Sequence, residues 1–398
     1  MSYHARIVRF FVRLFFVLLV LAGIFLFLYS THITHILGGD KTITILAWPQ
    51  EIDATVFADF EEKTGIKVHV RYVENNEELA VRLLATGGHD IDVIMPTDYA
   101  AEMFIKKGLL KKIDTRKLSF MQHLNPQLMG RYFDPSNEYT IPYYWGIYGI
   151  GFDKNYFSDA APPASWGVLF DPGFKTAHIS MPDNPRYLVS IAAQYIYGTI
   201  DVLAGSYQLA DNLRSVDSLP TSFLRKQESN FFKFDNGLVS DVSSGKQNID
   251  KITQLLITQK PIVELYTESR GEYLLASRAS ALTVLLSADV AKAMKIYPHI
   301  DFFIPKEGSF MLIDSFALSV HTHKDELIYQ FLNYLYQPEI LKIYVDKFIF
   351  FPATTNVTPA FQPDVLKMPL ESGSPPIDFY RSVFPVKVLS DIWIALKA

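Results

Sequence analysis

The sequence predicts an α/β fold built from two lobes, and three observations support this prediction. The chain has 398 residues, whereas a single domain usually has about 100–200, so two hydrophobic cores are expected. Hydrophobic residues make up 49% of the chain and charged residues 20%, which is typical of a globular protein. After residue 41, short β-branched runs alternate with segments of helical periodicity, and this order predicts parallel strands covered by helices.

The elements can be predicted in order along the first part of this region. The predicted strands are residues 42–47, 66–70 and 92–95, and the predicted helices are residues 53–64, 76–85 and 96–107. Gly65 and Gly108 follow two of these helices, as expected where a helix ends, and Asn76 is expected to cap the helix that it precedes. Ligands of such folds bind at the carboxyl ends of the strands, so the loops after the first and third strands are candidate site loops.

The first 39 residues indicate export. Residues 14–29 form an apolar run behind Arg6, Arg9 and Arg13, and the first acidic residue is Asp40. We predict a hydrophobic N-terminal helix, either a signal peptide or a signal anchor, because the run is between the usual signal core of about 7–15 residues and a membrane span of about 20. The rest of the chain is expected in the periplasm, with membrane contact through this segment if it stays uncleaved.

Residue counts exclude several classes of function. The chain has no cysteine, which excludes disulfides, thiolate metal sites and a cysteine nucleophile. The formal net charge is −5 and no basic stripe follows the N-terminal arginines, so nucleic acid is not an expected partner. The sequence has no nucleophile-elbow, zinc-protease, phosphate-loop or dinucleotide motif, and we expect no enzyme activity, no metal site and no cofactor.

The two candidate loops combine rings with polar groups. Trp48 and Glu51 follow the first predicted strand, and Thr97, Asp98 and Tyr99 follow the third. An organic cation requires this combination, because rings contribute cation–π attraction and oxygens accept its N–H donors. For Asp98 a role as a helix cap is the alternative, since it stands where a helix begins.

Several segments resemble the spermidine/putrescine-binding periplasmic proteins of polyamine ABC importers. The segments are TGIKV (64–68), MPTDY (95–99), GLLKKID (108–114), IPYYWG (141–146), IPKEG (304–308), DSFA (314–317), FLNYL (331–335) and QPE (337–339). The resemblance implies the type II periplasmic-binding-protein fold, with a hinge and a ligand cleft between the lobes. It places lobe one at residues 41–146 plus 314–358, and lobe two at residues 147–313 plus 359–398.

The resemblance also implies a ligand-binding set for a polyamine. Its members correspond in position to the family's site residues and are Trp48, Glu51, Thr97, Tyr99, Asn184, Tyr187, Asp289, Asp314 and Phe351. Asp314 and Asp289 are the carboxylates expected to bind ammonium groups, with a hinge residue and a helix cap as their alternatives. An inner-membrane ABC permease is the implied partner, and the protein is expected to act as a monomer.

The sequence departs from the family at several of these positions. Asn184 and Tyr187 stand where the family commonly has acidic residues, and Leu286 and Leu312 stand where it has rings. A triamine needs acceptors along its whole length, because an unpaired buried ammonium is costly. Two remaining aspartates therefore favour a diamine such as putrescine over spermidine.

Residues 214–247 are rich in serine and lack periodicity, which predicts an inserted surface loop of lobe two. Two other classes of function remain open. The chain could be a membrane-tethered solute sensor, which the insertion and the N-terminal segment favour. It could also bind another small cargo, such as thiamine or iron.

Overall fold

The computed structural model describes residues 12–13, 15, 17–20, 41–49, 51–52, 54–85, 88–157, 161–174, 178–199, 242–268, 270–363, 375–380 and 386–397. Most of the predicted N-terminal segment and residues 214–241 of the predicted insertion lie outside these ranges. In the part of the chain that is described, no helix is both long and apolar enough to cross a membrane. The last six residues of the predicted insertion, 242–247, are helical instead of a loop.

The described strands form a mixed sheet. They are β1 (Thr42–Ala47), β2 (Lys67–Tyr72), β3 (Val93–Ile94), β4 (Leu110–Lys111), β5 (Thr140–Asp153), β6 (Ile179–Met181), β7 (Val263–Tyr266), β8 (Leu282–Leu286), β9 (Ile300–Phe303), β10 (Ser309–Ser319), β11 (Phe351–Pro352) and β12 (Ile377–Phe379). As predicted, β1 pairs in parallel with β2 and β3, and β6 pairs in parallel with β7 and β8. The two long strands β5 and β10 run antiparallel to each other, so the sheet is not wholly parallel.

The described helices cover both faces of this sheet. The α-helices are α1 (Ala58–Thr64), α2 (Asn76–Ala85), α3 (Asp98–Lys106), α4 (Pro185–Tyr197), α5 (Val242–Gln259), α6 (Gly271–Ala276), α7 (Ser287–Ile296), α8 (Asp325–Leu335), α9 (Pro338–Phe348) and α10 (Val386–Lys397). A 3₁₀ turn at Ala54–Phe57 precedes α1, where one continuous helix was predicted. Gly65 ends α1 with a left-handed φ of 69°, as its position in the sequence indicated.

Alternation along the strands builds a hydrophobic core on each face of the sheet. Ile43, Ile45 and Ala47 of β1 belong to one buried cluster, whereas Leu46 belongs to the other. Successive side chains of a strand point to opposite faces, so β1 contributes to the core on each face of the sheet. The sheet is therefore covered on both sides, as expected for an α/β fold.

Strand β5 belongs to both halves of the sheet. Its first part, up to Ile147, pairs with β10 and β11, and its second part, from Tyr148, pairs with β8 and β9. All fourteen of its residues are buried. The division of the chain into lobes stays a prediction, and β5 changes partners within one residue of the predicted boundary between residues 146 and 147.

Candidate functional site

A cleft of about 260 Å³ opens where the carboxyl ends of β1 and β3 meet the middle of β10. Eight of the nine predicted site residues line it, and they are Trp48, Glu51, Thr97, Tyr99, Asn184, Tyr187, Asp289 and Asp314. Leu286 and Leu312 also line the cleft, at the positions where rings were expected from the family. Residues distant in the sequence thus meet at one place, as the rule for strand ends predicts.

Strand pairing brings the residues that follow β1 and β3 next to Asp314. The Met95 N–H donates to the Leu46 carbonyl at 3.0 Å, and the Ser315 N–H donates to the Pro96 carbonyl at 3.1 Å. Thr97 and Asp314 face each other in an isolated β-bridge. The residues that follow β1 and β3 are therefore held beside Asp314 by backbone hydrogen bonds.

Asp314 and Glu51 form a buried acidic pair in this part of the cleft. Asp314 is 6% exposed, and burial raises its pKa to about 6, an effect partly offset by hydrogen bonding from Thr97. Burial, together with the neighbouring Asp314 carboxylate, raises the pKa of Glu51 well above its ordinary value. Each carboxylate therefore disfavours ionisation of the other, because two neighbouring carboxylates cannot both ionise at low cost.

Two oxygen atoms of this pair have unused hydrogen-bonding capacity. Within the described ranges, Glu51 Oε2 and Asp314 Oδ1 are buried and lack a hydrogen bond of ordinary length. Such atoms are costly in an empty protein. A ligand that brings N–H donors and positive charge into the cleft would satisfy both carboxyl oxygens.

Tyr99 and Thr97 are oriented by Asn76. The Asn76 side-chain amide donates to Thr97 Oγ1 at 2.9 Å and to the Tyr99 hydroxyl at 3.0 Å. Asn76 is thus the first residue of α2 rather than its cap, and Asn75 Oδ1 accepts from the Glu78 N–H instead. Each hydroxyl oxygen accepts one hydrogen bond from Asn76 and keeps a second lone pair that can accept from another N–H donor.

Tyr187 and Asn184 lie at the start of α4 on another wall of the cleft. Asn184 Oδ1 accepts from the Arg186 N–H at 3.0 Å and caps the helix. The Tyr187 ring packs against Tyr148 with centroids 4.8 Å apart and against Tyr380 at 5.5 Å. Neither residue carries a charge, and the packed tyrosine rings make this wall largely aromatic.

The ion pair of Arg186 and Glu77 connects the two sides of the cleft. Arg186 lies in α4 and Glu77 in α2, and their side chains form a salt bridge. The Arg186 guanidinium also lies over the Tyr99 ring, 5.0 Å from its centroid. These contacts hold the start of α4 against α2 and the start of α3.

Asp289 forms a second charged group with Glu272 and Lys292. It lies in the first turn of α7 but does not cap the helix, since Leu286 is the N-cap residue. Its Oδ1 lies 3.2 Å from Lys292 Nζ, and the two side chains are 25% and 22% exposed. Burial and the nearby Asp289 carboxylate raise the pKa of Glu272 to about 7.

Phe351 does not line the cleft, so its prediction as a site residue is wrong. Its ring stacks on Trp145 with centroids 5.0 Å apart, and the residue is 2% exposed. The preceding residue, Phe350, lines the cleft instead. A shift of one residue in a strand moves a side chain to the opposite face, so a one-position error in matching this segment explains the difference.

Asp98 also lies outside the cleft. It is fully buried, and its Oδ1 accepts from the Tyr99 N–H at 2.7 Å. Burial raises its pKa well above the ordinary value. Asp98 therefore stabilises the turn between β3 and α3. This role is close to the helix cap that was the alternative to a binding role.

Sequence reasoning missed several residues that line the cleft. They are the acidic residues Glu74, Glu268 and Glu272, the cation Lys292, and the rings Tyr144, Tyr148, Phe348 and Phe350. Desolvation by the surrounding cleft wall raises the pKa of Glu268 to about 7, although the residue itself is exposed. Six acidic residues and one lysine thus line the described cleft. The cleft is therefore more acidic than the sequence analysis predicted from two aspartates.

The acidic side chains of the cleft are spread along its length. Among the described residues, no group of three or more His, Asp or Glu side chains is placed to hold a metal ion. The acidic residues are instead dispersed among rings along the cleft. Such a surface suits an elongated organic cation better than a compact ion.

The acidic, ring-lined cleft and the shared strands define a solute-binding protein with the type II periplasmic-binding fold. The structure superposes on the spermidine/putrescine ABC transporter substrate-binding protein PotD of Streptococcus pneumoniae with a TM-score of 0.64 and 19% identity, over 89% of this chain and 98% of that one. The chain belongs to the bacterial extracellular solute-binding protein family, whose model matches residues 55–369.

Curated relatives extend over most of the chain. The putrescine-binding periplasmic protein PotF of Escherichia coli is 27% identical over 362 residues, 87% of each chain. The putrescine-binding periplasmic protein SpuD of Pseudomonas aeruginosa is 27% identical over 330 residues, 80% of each chain.

Proposed function

We propose that this protein captures a polyamine, such as putrescine or spermidine, in the periplasm and delivers it to an inner-membrane ABC permease. The observation that carries the proposal is the charge of the cleft, where six acidic side chains face one lysine. Buried carboxylates are costly without a cation, and a protonated diamine or triamine supplies two or three. The rings among these carboxylates suit the methylene chain between the ammonium groups.

The proposal assigns binding roles to the predicted residues. Asp314 and Glu51 would bind one ammonium group, with Thr97 and Tyr99 completing its hydrogen bonds. Trp48 would contact the methylene chain, and Asn184 and Tyr187 would form the opposite wall. The ligand would favour the closed form of the two lobes, because only this form contacts it from both sides.

The proposal describes a binder rather than an enzyme, working as a monomer. Family membership and the putrescine-binding relatives support a transport role. The N-terminal segment would either be removed or retain the protein at the inner membrane. Size-exclusion chromatography of the full chain and mass determination of the N-terminus in membrane and soluble fractions test these two points.

A ligand panel tests the proposed function. Purified protein is titrated with putrescine, spermidine, thiamine, ferric iron and 1,4-butanediol, and thermal unfolding is followed. A ligand at about 100 times its dissociation constant adds about 2.7 kcal/mol to the free energy of unfolding. We expect stabilisation by a polyamine and none by butanediol, which matches putrescine in length but has no charge. Stabilisation by thiamine or iron alone would contradict the proposal.

A further inference from the structure

One cation is built into the acidic cleft. Lys292 lies in α7 and lines the cleft with Asp289 and Glu272, and these three residues are called the Lys292 cluster below. The Nζ atom of Lys292 lies 3.2 Å from Asp289 Oδ1. The negative charge of Asp289 and Glu272 raises the pKa of Lys292 against the effect of burial, so the side chain is an ammonium at neutral pH.

A simple helix-surface ion pair does not account for this arrangement. Pairs three residues apart on a helix are common, but such pairs are usually solvated. Here both partners are about three-quarters buried at the wall of a ligand cleft. Burial raises the pKa of Glu51, and the charge of Lys292 partly offsets this increase, so the lysine acts on the Asp314–Glu51 pair as well as on Asp289 and Glu272.

The Lys292 ammonium already pairs with Asp289, one of the two aspartates expected to bind a ligand ammonium. Two ammonium groups beside one largely buried carboxylate repel each other strongly. A ligand ammonium that approaches Asp289 therefore meets a carboxylate that is already paired with Lys292. A diamine needs fewer acceptors than a triamine, so this pairing lowers the affinity for the triamine more.

We propose that Lys292 is a specificity-determining residue that replaces one ligand ammonium in the cleft and thereby favours a diamine over a triamine. This inference rests on the proposed function, because it concerns the choice among polyamines. Specificity of this kind arises from a repulsive group directed against the wrong ligand. The Lys292 side chain supplies that group, and the Lys292 cluster keeps it in place.

The test compares the dissociation constants of putrescine and spermidine by calorimetry on the full chain. Lys292→Met removes the charge and keeps an unbranched side chain, whereas Lys292→Arg keeps the charge. Lys295→Met is the matched control, because Lys295 lies on the same helix and is exposed. Circular dichroism confirms folding of each variant, and Lys292→Gln replaces Lys292→Met if the latter does not fold.

The expected result is a change in preference. In Lys292→Met the affinity for spermidine relative to putrescine should rise at least about tenfold, since a charge-assisted hydrogen bond changes an equilibrium constant by such a factor. In Lys292→Arg and Lys295→Met the relative affinity should stay within about threefold of the wild-type value.

Other outcomes overturn the inference and separate it from the proposed function. An unchanged ratio, or an equal gain for both polyamines, would show that Lys292 does not select between them. Tighter wild-type binding of 4-aminobutyrate than of putrescine, lost in Lys292→Met, would make Lys292 an anion-binding residue instead. If the wild type binds no polyamine, the proposed function fails. The inference then stands only if Lys292→Met gains spermidine binding, and it fails if that variant binds neither polyamine.

Discussion

Replacing Asp314 with asparagine should weaken putrescine binding by about 10- to 100-fold. Asp314 is 6% exposed and lies in the buried acidic pair with Glu51. A hydrogen bond to a charged group contributes about 1.5–3 kcal/mol, and each 1.4 kcal/mol corresponds to about a factor of ten in the dissociation constant. The amide keeps the shape and one acceptor oxygen of the side chain but loses its negative charge.

The same change should not unfold the empty protein. The pKa of Asp314 rises from 3.8 to about 6 on folding, so the folded state holds a proton that the unfolded chain releases across this range. As the pH rises through this window, the contribution of Asp314 to stability is lost, and at neutral pH its ionised form disfavours folding. Asparagine removes this cost, and we expect an unchanged or higher midpoint of thermal unfolding.

Calorimetry at about pH 8 and thermal unfolding with and without putrescine measure both effects. At about 100 times the wild-type dissociation constant, the ligand stabilises the wild type by about 2.7 kcal/mol, whereas a variant with about 30-fold weaker binding gains about 0.9 kcal/mol. Asp391→Asn is the matched control, since Asp391 is exposed on α10. An unchanged dissociation constant for Asp314→Asn would remove Asp314 from the site and refute the reasoning.

Three further changes test other parts of the site. Putrescine affinity should rise between about pH 5 and 8, because Asp314 and Glu272, with pKa values of about 6 and 7, must ionise to bind an ammonium; a flat calorimetric profile would contradict this. Arg186→Met or Glu77→Gln should weaken binding about 2- to 10-fold by lowering the closed population, and the double variant should lose no more than either single one. Phe351→Leu should lower the free energy of unfolding in urea by about 1–2 kcal/mol and leave the dissociation constant unchanged, whereas a loss of affinity would return Phe351 to the site.

The residues after β1 and β3 could be predicted from the sequence because a local pattern fixes them. β-Branched runs identify the strands, and the carboxyl ends of parallel strands meet at one edge of a sheet. Trp48, Glu51, Thr97 and Tyr99 follow directly from that rule. Asp314 required the family resemblance, since it lies in the middle of a long antiparallel strand and no local signal marks it.

The remaining acidic residues depend on contacts between distant segments. Glu268 follows β7, and the rule used for Trp48 could have found it if that short strand had been recognised. Glu272 approaches Asp289 only because α6 packs against α7. Helical spacing relates Lys292 to Asp289 in the sequence, but which face of α7 meets the cleft is decided by tertiary packing.

The errors at Asn76 and Phe351 have a common origin. Each lies one residue from the position that has the predicted role, with Asn75 as the cap and Phe350 in the cleft. Sequence patterns locate an element more reliably than its first residue, because helix ends vary by one or two positions. In a strand the same uncertainty reverses the direction of every side chain.

The sharing of β5 has a consequence for how this chain folds. A cut between Ile147 and Tyr148 would leave each fragment with only part of a strand that bonds β10 and β11 on one side of the cut and β8 and β9 on the other. Neither fragment would then have a complete central ladder. We therefore expect denaturation in a single cooperative transition, and we expect separately expressed halves to become structured only when they are mixed.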